Sequence, residues 1–203
     1  MNYLPFLKKF HSRFIFGRRV KMLSQNINQL LPRDVKTILD VGCGDGSISS
    51  LIKKEYNTLN IVGLEIMKRK KCFIKCKIYD GISIPFESKN FDLALFVDVF
   101  HHSNNIDDLF KESIRVTKKY ILIKDHIFNN SFDVITLRIM DWIGNKGYGV
   151  GLIYNYKNKS YWMNLFKKND VSVISWVEDL SLYPFPFNLI FGRRLHFIAL
   201  VKV

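Results

Sequence analysis

Asp40-Val41-Gly42-Cys43-Gly44-Asp45-Gly46 is the stretch that decides the fold. It follows the apolar Thr37-Ile38-Leu39 and precedes Ser47-Ile48-Ser49-Ser50-Leu51-Ile52, whose apolar spacing suits a helix. Strand, glycine turn and helix in that order place a ligand at the carboxyl end of a parallel strand. The glycines let the backbone come close to that ligand. The acid at the head of the run bears on which ligand it is.

Working outward, strands and helices alternate. Residues 36–41 read as a first strand and 46–55 as the first core helix. Residues 60–65 form a second strand ending in Glu65, and 73–79 a third closed by Asp80-Gly81. The stretch between Glu65 and Asp80 is short and basic, so the usual helix there is truncated. Residues 91–97 make a fourth strand apolar enough for burial on both faces. Residues 105–118 read as a helix capped by Asn104 or Asn105, and 120–124 as a fifth strand. Beyond residue 126 come helices over 131–143 and 159–169, a Gly-, Tyr- and Asn-rich loop over 145–158, and two late strands over 171–177 and 195–203. No helix separates those two strands, so they can pair antiparallel. The expectation is an α/β fold: a Rossmann-like, doubly wound seven-stranded sheet, mostly parallel with an antiparallel last strand, and helices on both faces. Upstream, residues 10–31 read as an amphipathic helix stopped by Pro32. This sets an N-terminal helical appendage, 1–34, against a main domain, 35–203. Phe14-Ile15-Phe16-Gly17-Arg18-Arg19 is echoed by Leu189-Ile190-Phe191-Gly192-Arg193-Arg194, but two copies make no repeat architecture.

The chain has 203 residues and 48% apolar content, enough for a full core. Its three cysteines, Cys43, Cys72 and Cys76, make no disulfide framework. Cys72 and Cys76 sit four residues apart with no His or further Cys beside them, so no metal site is expected. A reducing, cytoplasmic setting follows from the cysteine usage. The first nine residues are too short and too soon charged for a signal peptide, and no apolar run is long enough to span a membrane. The net charge of +13 raises the question of nucleic acid. Lys outnumbers Arg by 22 to 9, a bias that an AT-rich genome produces without selection for phosphate contacts. A solvated basic surface is the favoured reading, an anionic substrate or membrane face comes next, and nucleic acid last. Residues 180–194 hold aromatics, two prolines and Arg193-Arg194, a lid over an apolar substrate or a peripheral membrane contact. The oligomeric state stays open.

Two details of the glycine turn separate the nucleoside cofactors. The spacing is Gly42-x-Gly44-x-Gly46, not the Gly-x-Gly-x-x-Gly of dinucleotide sites. Asp40 stands directly before the turn, where a pyrophosphate would be repelled. S-adenosylmethionine carries an ammonium and a sulfonium and no phosphate, so there a carboxylate is attractive. A charge-assisted hydrogen bond of about 1.5–3 kcal/mol is enough to choose between them. Glu65, 19 residues after Gly46, is placed to accept from the ribose hydroxyls, and Asp80 to meet the adenine amino group.

Ile38-Leu39-Asp40-Val41-Gly42-Cys43-Gly44-Asp45-Gly46 resembles the first motif of the class I S-adenosylmethionine-dependent methyltransferases. Pro85-Phe86, Asn90-Phe91-Asp92 and Val97-Asp98-Val99-Phe100-His101-His102 resemble its small-molecule, type 11-like branch, which includes quinone-biosynthesis enzymes. The resemblance covers residues 36–126. In the tail, Asp141-Trp142-Ile143-Gly144-Asn145 and Tyr183-Pro184-Phe185-Pro186 resemble bacterial proteins known only as methyltransferases. The resemblance implies cofactor contacts at Asp40, Gly42, Cys43, Gly44, Glu65, Ile66, Asp80, Gly81, Asp98 and Val99.

Methyl transfer is an in-line displacement, and a base is needed only where the acceptor must lose a proton. Asp98, His101, His102, Lys124, Asp125 and His126 lie at the carboxyl ends of the fourth and fifth strands, with His102, Asp125 and His126 as candidate catalytic groups. Asp141, Trp142, Tyr154 and Tyr156 are candidates for the acceptor pocket. No Asn/Asp-Pro-Pro-aromatic run and no Pro-Cys follows the fourth strand, which argues against adenine amino and cytosine chemistry. The expected activity is methylation of oxygen or carbon on a small acceptor, with lipidic, quinone-like or polyketide-like molecules in view. The alternatives are an RNA methyltransferase, a non-catalytic cofactor-binding module and an NAD-dependent oxidoreductase.

Overall fold

The computed structural model describes residues 17–145 and 153–203. The first seven residues of the helix expected over 10–31, the opening of the Phe14 echo, and residues 146–152 of the expected loop lie outside the described residues.

In chain order the elements are α1 (Gly17–Leu30), β1 (Thr37–Val41), α2 (Ser47–Glu55), β2 (Asn60–Glu65), β3 (Lys75–Ile78), β4 (Phe91–Val97), a 3-10 turn (Phe100–His102), α3 (Ile106–Val116), β5 (Thr117–His126), α4 (Ser131–Asn145), α5 (Lys159–Lys168), β6 (Ser172–Val177), α6 (Asn188–Phe191) and β7 (His196–Lys202). The seven strands form one sheet in the order β3-β2-β1-β4-β5-β7-β6. β1 pairs in parallel with β2 and with β4, β2 with β3, and β4 with β5. β7 runs antiparallel to both β5 and β6. The chain thus builds outward from β1 in one direction, then returns to start β4 on the other side. The crevice between β1 and β4 is the switch point at which open α/β sheets bind ligands.

Side chains alternate across the sheet with the two-residue period of a strand. Ile38, Leu93 and Leu95 face one layer with Ile52 of α2 and Leu23 and Ile27 of α1. Leu39, Ala94 and Phe96 face the other, with Phe110 of α3 and Trp162 and Phe166 of α5. Each large apolar side chain buried this way contributes about 2 kcal/mol. Helix α1 belongs to the first layer because its apolar residues recur on one face.

Three elements depart from the sequence expectation for reasons local to them. Helix α3 is capped by Asn105, whose side chain accepts from Asp108 N at 3.2 Å, but it stops at Val116. Thr117 Oγ1 donates to Ser113 O at 2.6 Å, closing the helix as Thr117 enters the sheet. β5 therefore starts three residues early and runs to His126, longer than the expected 120–124. β3 is only Lys75–Ile78, and the nine residues joining it to β2 contain no helix.

Candidate cofactor and acceptor site

The glycine turn leaves β1 after Val41 and enters α2 at Ser47. Gly42, Gly44 and Gly46 have φ of 69°, 58° and 73°, the left-handed region that side chains disfavour. A Cβ on Gly42 would lie 2.6 Å from Val99 Cγ2, whereas nothing lies within 4 Å of one on Gly44. The turn is packed on one side and open at Gly44. Asp40 is 4% exposed and accepts from Ser49 Oγ at 2.6 Å. Burial pushes its carboxyl up to about 7, with the charge of Glu65 adding to the rise and the Ser49 hydrogen bond opposing it.

Glu65, at the end of β2, is equally buried. Its Oε2 accepts from Gly44 N at 2.8 Å and from Arg69 at 3.3 Å, and its Oε1 from Ile66 N at 2.9 Å. A carboxylate has about four lone-pair sites, so acceptor capacity remains on Oε1. Ile66 is half exposed and lies 3.1 Å from where a Gly81 Cβ would be. Asp80 is exposed; its Oδ1 accepts from Ile82 N and Ser83 N, both at 2.8 Å, which holds it below the usual carboxylate range.

Asp98 follows β4 with φ 57°. It is ion-paired to Arg19 of α1 and to Lys124 of β5, with His126 Nδ1 3.6 Å away. Burial opposes its charge, but Lys124 and then Arg19 outweigh this and hold the carboxyl well below its usual range. Lys124 is fully buried, and burial lowers its ammonium below the ordinary lysine value. Its Nζ also lies 3.2 Å from His196 Nδ1.

The histidines form a stack beside this ion cluster. His101 Nδ1 meets Asp125 Oδ1 at 2.6 Å, and its Nε2 lies 3.5 Å from Asp141 Oδ2. Burial works against the imidazolium, yet Asp125 and Asp141 raise His101 to about 10. His126 stacks on His101 at 4.6 Å, and burial and Lys124 push it well below 6.5. His102 is half-buried and lowered by burial and by His101; its Nδ1 has no hydrogen-bond partner among the described residues. Asp125 is engaged three times over, since His126 N also donates to Oδ1 at 2.7 Å and Phe100 N to Oδ2 at 2.9 Å. Tyr156 Oη donates to Asp141 Oδ2 at 2.6 Å, whereas Trp142 is half exposed.

The structure brings the three cysteines together. Cys72 lies in the loop before β3 and Cys76 within β3, and Cys43 of the glycine turn joins them, with Cys43 Sγ 3.6 Å from Cys76 Sγ. All three thiols lie within 4.8 Å of one another. Strand pairing causes this: β3 lies beside β2, where Gly63 has no side chain, and a Cβ there would be 2.6 Å from Cys43 Sγ.

The sequence reading missed Arg19, His196 and Ser49. His196 faces His126 directly in the β5–β7 pairing, so an antiparallel register drawn from the two strand sequences finds it. Arg19 has no such signal, because nothing in a helix upstream of β1 says which strand end it reaches.

The open side of Gly44, a buried acid whose ionised form gains from a cation, and the capacity left on Glu65 fit a cationic, phosphate-free adenosine cofactor. A profile described as Methyltransferase domain matches residues 39–120. An uncharacterised protein of Methanocaldococcus jannaschii is 30% identical over 140 residues, covering 64% of this chain and 60% of that protein. The (S)-tetrahydroprotoberberine N-methyltransferase of Eschscholzia californica is 25% identical over 164 residues, covering 72% of this chain and 45% of the enzyme. The chain thus spans about half the length of these two relatives. The fold superposes on an S-adenosylmethionine-dependent methyltransferase from Mesorhizobium loti with a TM-score of 0.67 and 13% identity, covering 88% of this chain and 96% of the other. Motif, sheet order and matched segment agree: residues 39–120 match a methyltransferase domain, and they sit in a sheet of the Rossmann-like fold seen in S-adenosylmethionine-dependent methyltransferases.

Proposed function

We propose that this chain transfers a methyl group from S-adenosylmethionine to a hydroxyl or acidic carbon of a small molecule. The observation that carries the reading is the pairing of Asp40 and Glu65 around an open Gly44, with a neutral, half-buried His102 on the 3-10 turn that follows β4. The cofactor supplies a methyl group already activated on a sulfonium. Asp40 would face its cationic end, Glu65 would hold the ribose through Oε1 while the Gly44 amide fixes Oε2, and Ile66 and Gly81 would flank the base.

His102 is the group that would take a proton from the acceptor, because its Nδ1 is unpartnered and its imidazole is neutral. Asp125 is a positioning residue, since all its contacts go to His101, His126 N and Phe100 N. Burial, and then the charge on His101 held by Asp125 and Asp141, keeps His102 neutral near pH 7. His126 is deeper and shielded by the His101 stack, which suits orientation of the ring below it. The E. californica relative is an N-methyltransferase, and an amine acceptor would use the same neutral base.

Calorimetric titration with S-adenosylmethionine, S-adenosylhomocysteine and NAD tests the cofactor. Binding of the first two and not the third is expected; no S-adenosylmethionine binding at millimolar concentration overturns the reading. A His102→Gln chain should bind the cofactor as before and lose about 10²–10⁴-fold in methyl transfer to a hydroxyl acceptor. The net charge of +13 favours an RNA acceptor as a second reading. Tight RNA binding with a steep salt dependence would replace the small-molecule reading.

A further inference from the structure

We propose that Cys43, Cys72 and Cys76 form a binding site for a thiophilic d10 metal ion, Cu+ or Zn2+, which fastens the loop before β3 to the glycine turn. The chain contains three cysteines in all, and they converge on one point from residue 43 and from residues 72–76.

Distances favour a metal over a disulfide. A metal held by thiolates at about 2.3 Å in trigonal or tetrahedral geometry sets its sulfurs about 3.8–4.0 Å apart. Cys43 and Cys76 stand at 3.6 Å, and all three sulfurs fall within 4.8 Å, so adjustments of less than about 1 Å complete the site. A disulfide needs about 2.05 Å, which would draw Cys43 and Cys76 together by roughly 1.5 Å and leave Cys72 unused. The cluster is also accessible: Cys72 is exposed, and the other two are partly so.

The surroundings suit an anionic metal–thiolate centre. Three thiolates around Cu+ or Zn2+ leave a net charge of −2 or −1. Six of the ten residues 68–77 are Lys or Arg, namely Lys68, Arg69, Lys70, Lys71, Lys75 and Lys77. Three soft ligands select Cu+ or Zn2+ over hard cations. The acid–histidine groups near Asp98 are poorer candidates, because Asp98 is already paired to Arg19 and Lys124, and His101 to Asp125.

The position gives the site a consequence for the fold. Phe73 N already donates to Asp45 O at 2.8 Å, and Ile74 fills the space beside Gly46 and Gly63. A metal bridging Cys43 to Cys72 and Cys76 adds a third tie between this helix-free crossover and the turn. Thiols ligate as thiolates, so metal uptake expels protons and strengthens with pH.

The test is titration of the reduced full-length chain, free of oxygen, with Cd2+ as a spectroscopic probe and then with Zn2+ and Cu+ in competition. One equivalent per chain with a thiolate-to-metal charge-transfer band is expected. Cys72→Ser and Cys76→Ser, whose circular dichroism should match the parent, should each weaken binding at least about tenfold, and the double variant should abolish the band. Displacement of Cd2+ by Cu+ at one equivalent assigns copper, and displacement by Zn2+ alone assigns zinc. Absence of the band, or uptake unchanged in the double variant, overturns the proposal. S-adenosylmethionine binding plays no part in the readout, so failure here is distinct from failure of the methyltransferase reading.

Discussion

Asp125 and His101 form a buried pair in which Oδ1 meets the ring Nδ1 at 2.6 Å while Oδ2 holds Phe100 N at 2.9 Å. One carboxylate therefore fixes both the ring and the backbone of the 3-10 turn that carries it. Because the same turn ends in His102, the placement of the proposed base depends on a residue of the neighbouring strand.

Asp125→Asn should destabilise the protein by about 3–5 kcal/mol at neutral pH, the usual cost of breaking a buried charged pair. The His101 imidazole is raised from 6.5 to about 10, so its contribution is full below pH 6.5 and is lost as pH rises through 10. The gap between parent and variant should be widest near pH 6.5 and narrow by pH 10. Urea unfolding at these two pH values measures it.

Asp40 works in the opposite sense. Its carboxyl rises from 3.8 to about 7 on folding, so folding keeps a proton that the unfolded chain has released. Stability from this group is greatest below pH 4 and falls as pH rises to 7, by about 4 kcal/mol at most. Asp40→Asn should remove that slope and stabilise the ligand-free protein at pH 7.5. A cationic cofactor favours the ionised acid, so its affinity for the parent should rise from pH 6 to pH 8. In Asp40→Asn that rise should vanish, along with at least about tenfold of the affinity. Calorimetry across this range checks both.

Gly44→Ala and Gly42→Ala separate cofactor space from packing. At Gly44 a methyl group meets nothing, and only the left-handed backbone is strained, at about 1–2 kcal/mol. Thermal unfolding should register that small loss, while cofactor binding falls far more steeply. At Gly42 the methyl group collides with Val99, so stability should fall further, by about 2–4 kcal/mol. Equal losses of cofactor affinity per unit of stability in the two variants would show that the open side of Gly44 is not the cofactor's.

Arg19→Met tests the ion cluster. The Arg19 and Asp98 side chains are 23% and 16% exposed, so the pair is partly screened, and its loss should cost about 1–3 kcal/mol. Arg19 also holds the Lys124 ammonium down, so Lys124 should titrate at higher pH in the variant. Carbon-13 labelling of lysine during expression and NMR titration of the Lys124 Cε signal follow that shift.

Much of the fold was readable from periodicity. β4 shows six consecutive buried residues because both its faces are covered, and such a strand announces itself as an apolar run. Asp40, Glu65 and Asp98 were readable because each ends a strand, and strand ends in a parallel sheet converge. What the sequence hides is lateral. Cys43 meets Cys76 only because β3 pairs with β2, and His196 meets His126 only through the antiparallel register of β7. Linear spacing carries neither fact. Thr117 was misplaced because a helix running straight into a strand leaves no turn residues between them.

Arg19 reaches Asp98 from a helix that ends at Leu30, upstream of the 39–120 segment shared with the methyltransferase domain. One of the two cations that neutralise the acid at the mouth of the crevice thus comes from outside that segment. A chimera built from residues 35–203 alone would inherit Asp98 and Lys124 but not Arg19, and its crevice would be one positive charge poorer.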